Sequence, residues 1–443
     1  MNLDWLVLKH EDLVTENRQL IEEGKDVSVI NELYLKAISV THPVSFQAVA
    51  GEFLDRAQEL PVVQGYPYQE PQEWEDIMKE LPSPNDKPFR GSQEELMDRV
   101  WGGWVGRCCG CLLGKPVEGW TRSRLRAYLE ETSQYPLCYY VQAPERTGSS
   151  EIPKDSESVR FPEYGSGMPE DDDLNYTVIA LVVYQERGPL FSSKDVAEVW
   201  LSRLPLLRTC TAERVAYRNI ACGKLPPGSA TYRNPYREWI GARIRADFWG
   251  YVNPCSPRRA ASFAYRDACI SHVKNGIYGA MATSAMVASA YDAQDPAQLI
   301  DVALKHIPER SRLAEALRRQ QTYRRTLHHP HEAIQRIHES WDEMSPHHWC
   351  HVISNTEVVA MALLWGEGDF EKSVCLAVEA GMDTDCNGAA VGSILGVLLG
   401  HSRLPQKWTD AINDTLYTGV VGWECCRLRD LAWHTTKLAV SMG

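Results

Sequence analysis

No apolar run in this 443-residue chain reaches the length of a membrane span. A membrane role is therefore not expected. The start, Met1-Asn-Leu-Asp, lacks the basic region and apolar core of a secretory leader. Positive charge is also short: the net charge is −13. That is the wrong sign for a nucleic-acid-binding surface, although a local cationic pocket for a phosphorylated ligand remains possible. The acidic segments contain no His/Cys pair at zinc spacing. A Gly-x-Ser-x-Gly elbow and a phosphate-cradling glycine loop are both missing. Convincing alternating strands are missing too, so a mostly helical fold is expected. Cysteine is not scarce, at thirteen, but Cys108, Cys109 and Cys111 crowd one apolar segment and Cys425 and Cys426 are adjacent. This is no secreted framework, and reduced thiols in a cytoplasmic protein are expected.

What the chain does contain is organised around Gly381-Met-Asp-Thr-Asp-Cys-Asn-Gly388 and the small and apolar run that follows it to Gly400. Asp383 and Asp385 stand one residue apart at the start of this run. The run reads as a buried helix, with Ala389, Gly392, Gly396 and Gly400 at close-packing intervals. Glycine costs helix stability, so close approach of neighbouring backbones is the expected reason for so many. Two acids before a helix can be a solvated cap. Beside an apolar helix they are costly unless a cation neutralises them, and a hard divalent ion suits oxygen ligands.

Along the chain, residues 1–95 are expected to form an N-terminal helical extension and linker, packed against the rest or against a partner. Residues 96–443 form the main domain. Glu94 to Leu113 has helical periodicity and ends in Gly114-Lys-Pro-Val-Glu-Gly-Trp120, which places Glu118 in a tight loop after a buried helix. Gln134 to Gly167 reads as loop. It leads into Glu170-Asp-Asp-Asp173, four acids directly before the apolar run Val178-Ile-Ala-Leu-Val-Val. Acids favour helix N-termini, yet without a cation four of them raise one another's pKa at the mouth of a core. Val196 to Cys222 reads as a helix pair. Asn234 to Gly250 mixes Arg243 and Arg245 with aromatics and glycines, as a ligand wall or a set of internal ion pairs would. Ala260 to Ala290 reads as apolar helix carrying Asp267, Ser271 and His272, and such a histidine is more often a core residue than a catalyst. The tail from Trp408 to Met442 is expected to be helical.

Glu118, Glu170 to Asp173, and Asp383 with Asp385 each lie at a turn beside a buried helix. Converging these ends would give an oxygen-rich pocket for two divalent ions, able to orient vicinal hydroxyls and prepare a water for attack.

Gly110-Cys-Leu-Leu-Gly-Lys-Pro-Val-Glu-Gly119, Glu170-Asp-Asp-Asp173, Ser271-His272 and Gly381-Met-Asp-Thr-Asp385 occur in the order seen in ADP-ribosylglycohydrolases, which the chain resembles from about residue 96 onward. The resemblance implies a compact orthogonal all-α bundle with a binuclear magnesium or manganese centre. It implies cleavage of an N- or O-glycosidic bond of ADP-ribose or a related riboside. Glu118 resembles the family's loop glutamate near the metals, Asp171 and Asp172 its paired aspartates, and Asp383 and Asp385 those of its Asp-x-Asp-Thr motif. By the same resemblance Gly241 to Arg245 line the substrate cleft, and Ser271 and His272 lie beside the substrate's phosphates. The expected metal set is Glu118, Glu170, Asp171, Asp172, Asp383 and Asp385, with Glu118 or Asp172 assisting the attacking water. Glu170 and Asp173 stand where threonines are usual, and Cys386 replaces the threonine after the last aspartate; sulfur is a softer ligand. The substrate is expected to be an ADP-ribosylated group or a free riboside. A catalytically silent binding or structural member of the same fold is the alternative.

Overall fold

A computed structural model of the chain describes residues 6–143 and 164–441. The fold is all-α. Its centre is a pair of antiparallel helices, Gln93–Gly114 and Thr384–Leu399. Ser92 starts the first by accepting a hydrogen bond from the Glu95 amide (3.1 Å). Glycines make the pair unusually close. A Cβ at Gly102, Gly106 or Gly110 would overlap the carbonyl of Gly396, Gly392 or Gly388 in turn, and the converse holds from the other helix. Both helices are buried over most of their length. The close-packing row is therefore Gly388, Gly392 and Gly396 rather than one beginning at Ala389. Gly400 lies just past the helix end with φ of +80°.

Around this pair pack Asp172–Arg187, Lys274–Ser289, Val352–Gly366, Phe370–Glu379 and Leu428–Val440. Their apolar faces form one large core containing Trp104, Trp200, Trp249 and Trp408. Three N-terminal helices, His10–Glu22, Asn31–Ser39 and Pro43–Ala57, enclose a separate small core of Leu13, Leu20, Phe46, Phe53 and Leu54. The connecting segment is not free of the main domain, because Ile77 and Leu81 are part of the large core.

Two expectations change, and one helix is new. The stretch from Ala260 to Ala290 is two helices, Pro257–Ala268 and Lys274–Ser289, and Ser271 and His272 sit in the turn between them. Arg122–Glu131 is a helix that hydrophobic spacing does not announce. The tail is only partly helical: Thr415–Tyr417 pairs antiparallel with Cys425–Arg427 before the last helix. This hairpin holds the chain just before the four acids, through Met168 N to Thr415 O (2.8 Å) and Tyr417 N to Met168 O (2.9 Å). Residues 144–163 of the expected loop, and Met442, lie outside the described residues. All thirteen cysteines are free. Among the described residues no helix is long and apolar enough to cross a membrane.

Candidate functional site

The glycine contact sets the site. At its end, Gly114 lies against the Thr384 backbone, and the Thr384 hydroxyl donates to Gly114 O (2.9 Å). The C-terminus of one helix thus meets the N-terminus of the other. From the first comes a short turn, Lys115–Val117, and then Glu118, followed by Gly119 at φ +73°. Into the second runs Gly381-Met382 at φ of +74° and +59°, a left-handed pair that reverses the chain before Asp383. Asp383 occupies the N-cap position, yet its side chain makes no cap hydrogen bond. Its carboxylate is not the solvated helix cap that its position allows. Asp171 does cap its helix, accepting from the Asp173 amide (2.9 Å).

Carboxylate oxygens of Glu118, Asp383 and Asp385 lie within 4.8 Å of one another. So do those of Asp171, Asp172 and Asp173. Asp385 joins the groups, lying equally close to Asp171 with Cys111 and to Asp173 with Cys386. The Oδ1 atoms of Asp383 and Asp385 are buried and have no hydrogen-bond partner.

Protein cations neutralise only part of this cluster. Lys115 pairs with Asp171 (2.6 Å). Arg107, fully buried, pairs with Asp173 and with Asp247 (both 2.9 Å). Among the described residues no lysine or arginine reaches ion-pair distance of Glu118, Asp172, Asp383 or Asp385. Burial, then the neighbouring carboxylates, pushes Asp172 and Asp385 well above the carboxylate range. Burial also raises Asp383. Glu118 stands at the rim with solvent access, but crowding protein and the charges of Asp383 and Asp171 push it up to about 8. Asp173 reaches about 7 through burial, in spite of Arg107. Orphaned, mutually repelling oxygens of this kind match what a hard divalent cation requires.

Glu170 does not join these groups. It pairs with Arg208 (3.0 Å) and accepts from Asn175 (3.2 Å).

The residues expected along the substrate cleft form a second, connected network. Arg245 is fully buried and held by Glu213 and by Asp267 (3.2 Å), with its guanidinium over the rings of Trp200 and Tyr176. It also donates to the Ser271 hydroxyl (3.0 Å), which meets His272 Nδ1 at 2.8 Å. Gly241 is required here, because a Cβ would overlap the Glu213 carboxylate. Burial pulls the His272 pKa well below its ordinary value, and its Nε2 is buried without a partner. Arg245 is thus spent on internal ion pairs. Arg243 differs: it is buried, its Nη2 donates to Asn387 Oδ1 (2.9 Å), and its Nε and Nη1 have no partner.

Sequence reasoning missed Arg107, Lys115, Glu213 and Asn355. Arg107 had a signal, a lone charge in the otherwise apolar stretch from Val100 to Leu113. Asn355 had none, since an asparagine in an apolar helix does not reveal that its Oδ1 accepts from both the Asp383 amide (3.1 Å) and Asn387 (2.7 Å).

No curated protein matches the chain. One solved structure similar to it is described as an ADP-ribosylglycohydrolase-related protein complex, at 21% identity and a TM-score of 0.45, covering 79% of this chain and 99% of that one. The profile of the ADP-ribosylglycohydrolase family matches residues 92–438, a span that contains the whole glycine-packed helix pair and every acid of the cluster. The chain belongs to the ADP-ribosylglycohydrolase family.

Proposed function

We propose that the protein is a divalent-metal-dependent hydrolase that cleaves an N- or O-glycosidic bond of ADP-ribose or a related riboside. The observation that carries this reading is the convergence of Glu118, Asp383 and Asp385 with Asp171 and Asp172, two of them with buried, unpartnered oxygens. Glu118, Asp171, Asp172, Asp383 and Asp385 would hold two ions, Mg2+ or Mn2+. Glu170 was expected in this set and is left out, because Arg208 already holds it. Bound ions would supply Lewis acidity and a fixed point for the vicinal hydroxyls of the scissile ribose.

The chain's own residues supply the rest. Glu118 is the one acid of its group with solvent access, so it is placed to take a proton from an attacking water. Its raised pKa makes it a usable base near neutral pH once part of the repulsion is relieved. The water oxygen bonds to the anomeric carbon as the bond to the leaving group breaks, through an oxocarbenium-like transition state. Lys115 holds Asp171 and Arg107 holds Asp173, so these two acids do not swing when charge builds at the centre. Arg243, whose Nε and Nη1 have no partner and whose Nη2 donates to Asn387, is a cation that could meet an anionic part of the substrate.

The test is release of ribose or ADP-ribose from ADP-ribosylated arginine, ADP-ribosylated serine and free ribosides, with Mg2+ or Mn2+ present. Metal-dependent turnover of one class that disappears in Asp385→Asn supports the reading. Tight metal binding with no turnover of any class would leave a silent binding protein instead.

A further inference from the structure

A second group of metal-type side chains lies at the junction of the N-terminal helices with the main domain. Glu22, the last residue of His10–Glu22, projects into a nest of three imidazoles. His347 Nε2 and His348 Nε2 each lie 3.1 Å from its carboxylate, and His351 Nε2 lies 3.6 Å from it. Glu22, His347 and His351 have the spacing of a metal site. Their hydrogen bonds at Nδ1 argue against that role. His347 Nδ1 accepts from the Trp239 indole (3.0 Å), His348 Nδ1 from the Asp342 amide (3.1 Å), and His351 Nδ1 from the Ile353 amide (3.2 Å). A neutral ring that accepts at Nδ1 carries its proton at Nε2. A metal-bound ring has the opposite pattern, donating from the nitrogen that faces away from the metal. His347 Nε2 and His348 Nε2 meet this one carboxylate at hydrogen-bond distance, and His351 Nε2 faces it at 3.6 Å without a hydrogen-bond partner, while Arg18 closes it from outside (3.2 Å), its Nη2 lying 3.0 Å from His348 Nε2.

The far side of the same segment faces the acid cluster. The Trp349 indole donates to Met382 O (2.8 Å), in the left-handed turn before Asp383. The Cys350 thiol points at Asp383 Oδ2 (3.9 Å). Asn355, which holds the Asp383 amide, is itself held by donating to Trp349 O (2.8 Å) and His351 O (2.9 Å). Residues 347–355 are thus gripped by Glu22 on one face and grip Met382-Asp383 with the other.

We infer that Glu22 is a positioning residue for the Asp383–Asp385 end of the acid cluster, acting through the three histidines and Trp349 on the Met382-Asp383 turn. This inference rests on the divalent-centre reading. It also gives the N-terminal helix, which lies outside residues 92–438 of the family match, a part in that centre. Ligand-orienting partners of this kind typically change metal affinity by 10–100-fold when removed.

The experiment is calorimetric titration of the full chain with Mn2+, with thermal unfolding measured alongside. Glu22→Gln keeps the shape of the side chain but leaves a neutral amide where two imidazoles and Arg18 meet a carboxylate. It is expected to weaken Mn2+ binding about tenfold. Glu16→Gln is the control: Glu16 docks the same helix through Arg237 (2.6 Å) and touches none of residues 347–355. It is expected to lower the unfolding midpoint and leave Mn2+ affinity unchanged. Trp349→Phe removes the Met382 hydrogen bond without disturbing the N-terminal helix, and is expected to reproduce the affinity loss. It serves as the deciding variant if Glu22→Gln does not fold. Unchanged affinity in Glu22→Gln or, failing that, in Trp349→Phe would overturn the inference. Absence of Mn2+ binding by the unaltered protein would instead overturn the divalent-centre reading on which it stands.

Discussion

At the scale of single residues, the acids of the cluster differ in what neutralises them. Asp171 and Asp173 own a lysine and an arginine; Asp172, Asp383, Asp385 and Glu118 own neither. Their pKa values are raised by burial first and by one another second. The native state then binds more protons than the unfolded chain between the ordinary carboxylate range and about 8, so stability falls as pH rises through that window. In chelator, the unfolding midpoint is expected to drop from pH 5 to pH 8, and Mg2+ or Mn2+ is expected to reverse the drop. A flat profile in chelator would show that the acids are already satisfied. Glu118→Gln keeps the size of the side chain and removes the base. Turnover is expected to fall by about a hundredfold or more, with metal affinity reduced less than in Asp383→Asn. Near-full turnover in that variant would move the base to Asp172.

At the scale of elements, the site follows from two rows of glycine. Gly102, Gly106 and Gly110 face Gly396, Gly392 and Gly388 at backbone contact. An added methyl has no flexible side chain to displace, only a carbonyl. Gly392→Ala is therefore expected to cost about 3 kcal/mol or more, measured by denaturant unfolding, whereas an alanine at the exposed Gly228 does not meet a neighbour. Half of this arrangement was legible in the sequence. The run after Asp385 announced a tightly packed helix, and Glu118 was visibly trapped between Val117 and Gly119. The matching glycines near residue 106 were hidden, because a helix pair is read only when both partners are known. The hairpin at Thr415 was hidden for another reason: three-residue strands carry no alternation to detect. The break at Ser271 was hidden because no glycine or proline stands between Ala268 and Lys274 to announce it. Four acids in a row offer several alignments, and the partner that sets Glu170 apart, Arg208, stands 38 residues further along the chain, where local sequence does not show it.

At the scale of the whole molecule, the N-terminal helices keep an apolar core separate from that of the main domain and are tied to it by ion pairs. Glu16 of the helix His10–Glu22 and Glu23 just past its end meet Arg237, and Glu23 also meets Lys274. Nearby, Glu70 and Glu238 share Arg312. A chain beginning at Gly91 would leave Arg237 and Lys274 without their carboxylates and the main core without Ile77 and Leu81. Breaking one buried pair costs about 3–5 kcal/mol, so this shorter chain is expected to be poorly soluble or to unfold at much lower denaturant. Unfolding at the same midpoint as the full chain would show that the two parts are independent. The central claim, however, concerns the acid cluster. It is tested most directly by titrating the full-length protein with Mn2+ in a calorimeter, beside Asp383→Asn and Asp385→Asn. The expected result is saturable binding by the unaltered protein and none by either variant, with all three folded. Equal binding by all three proteins would contradict the account.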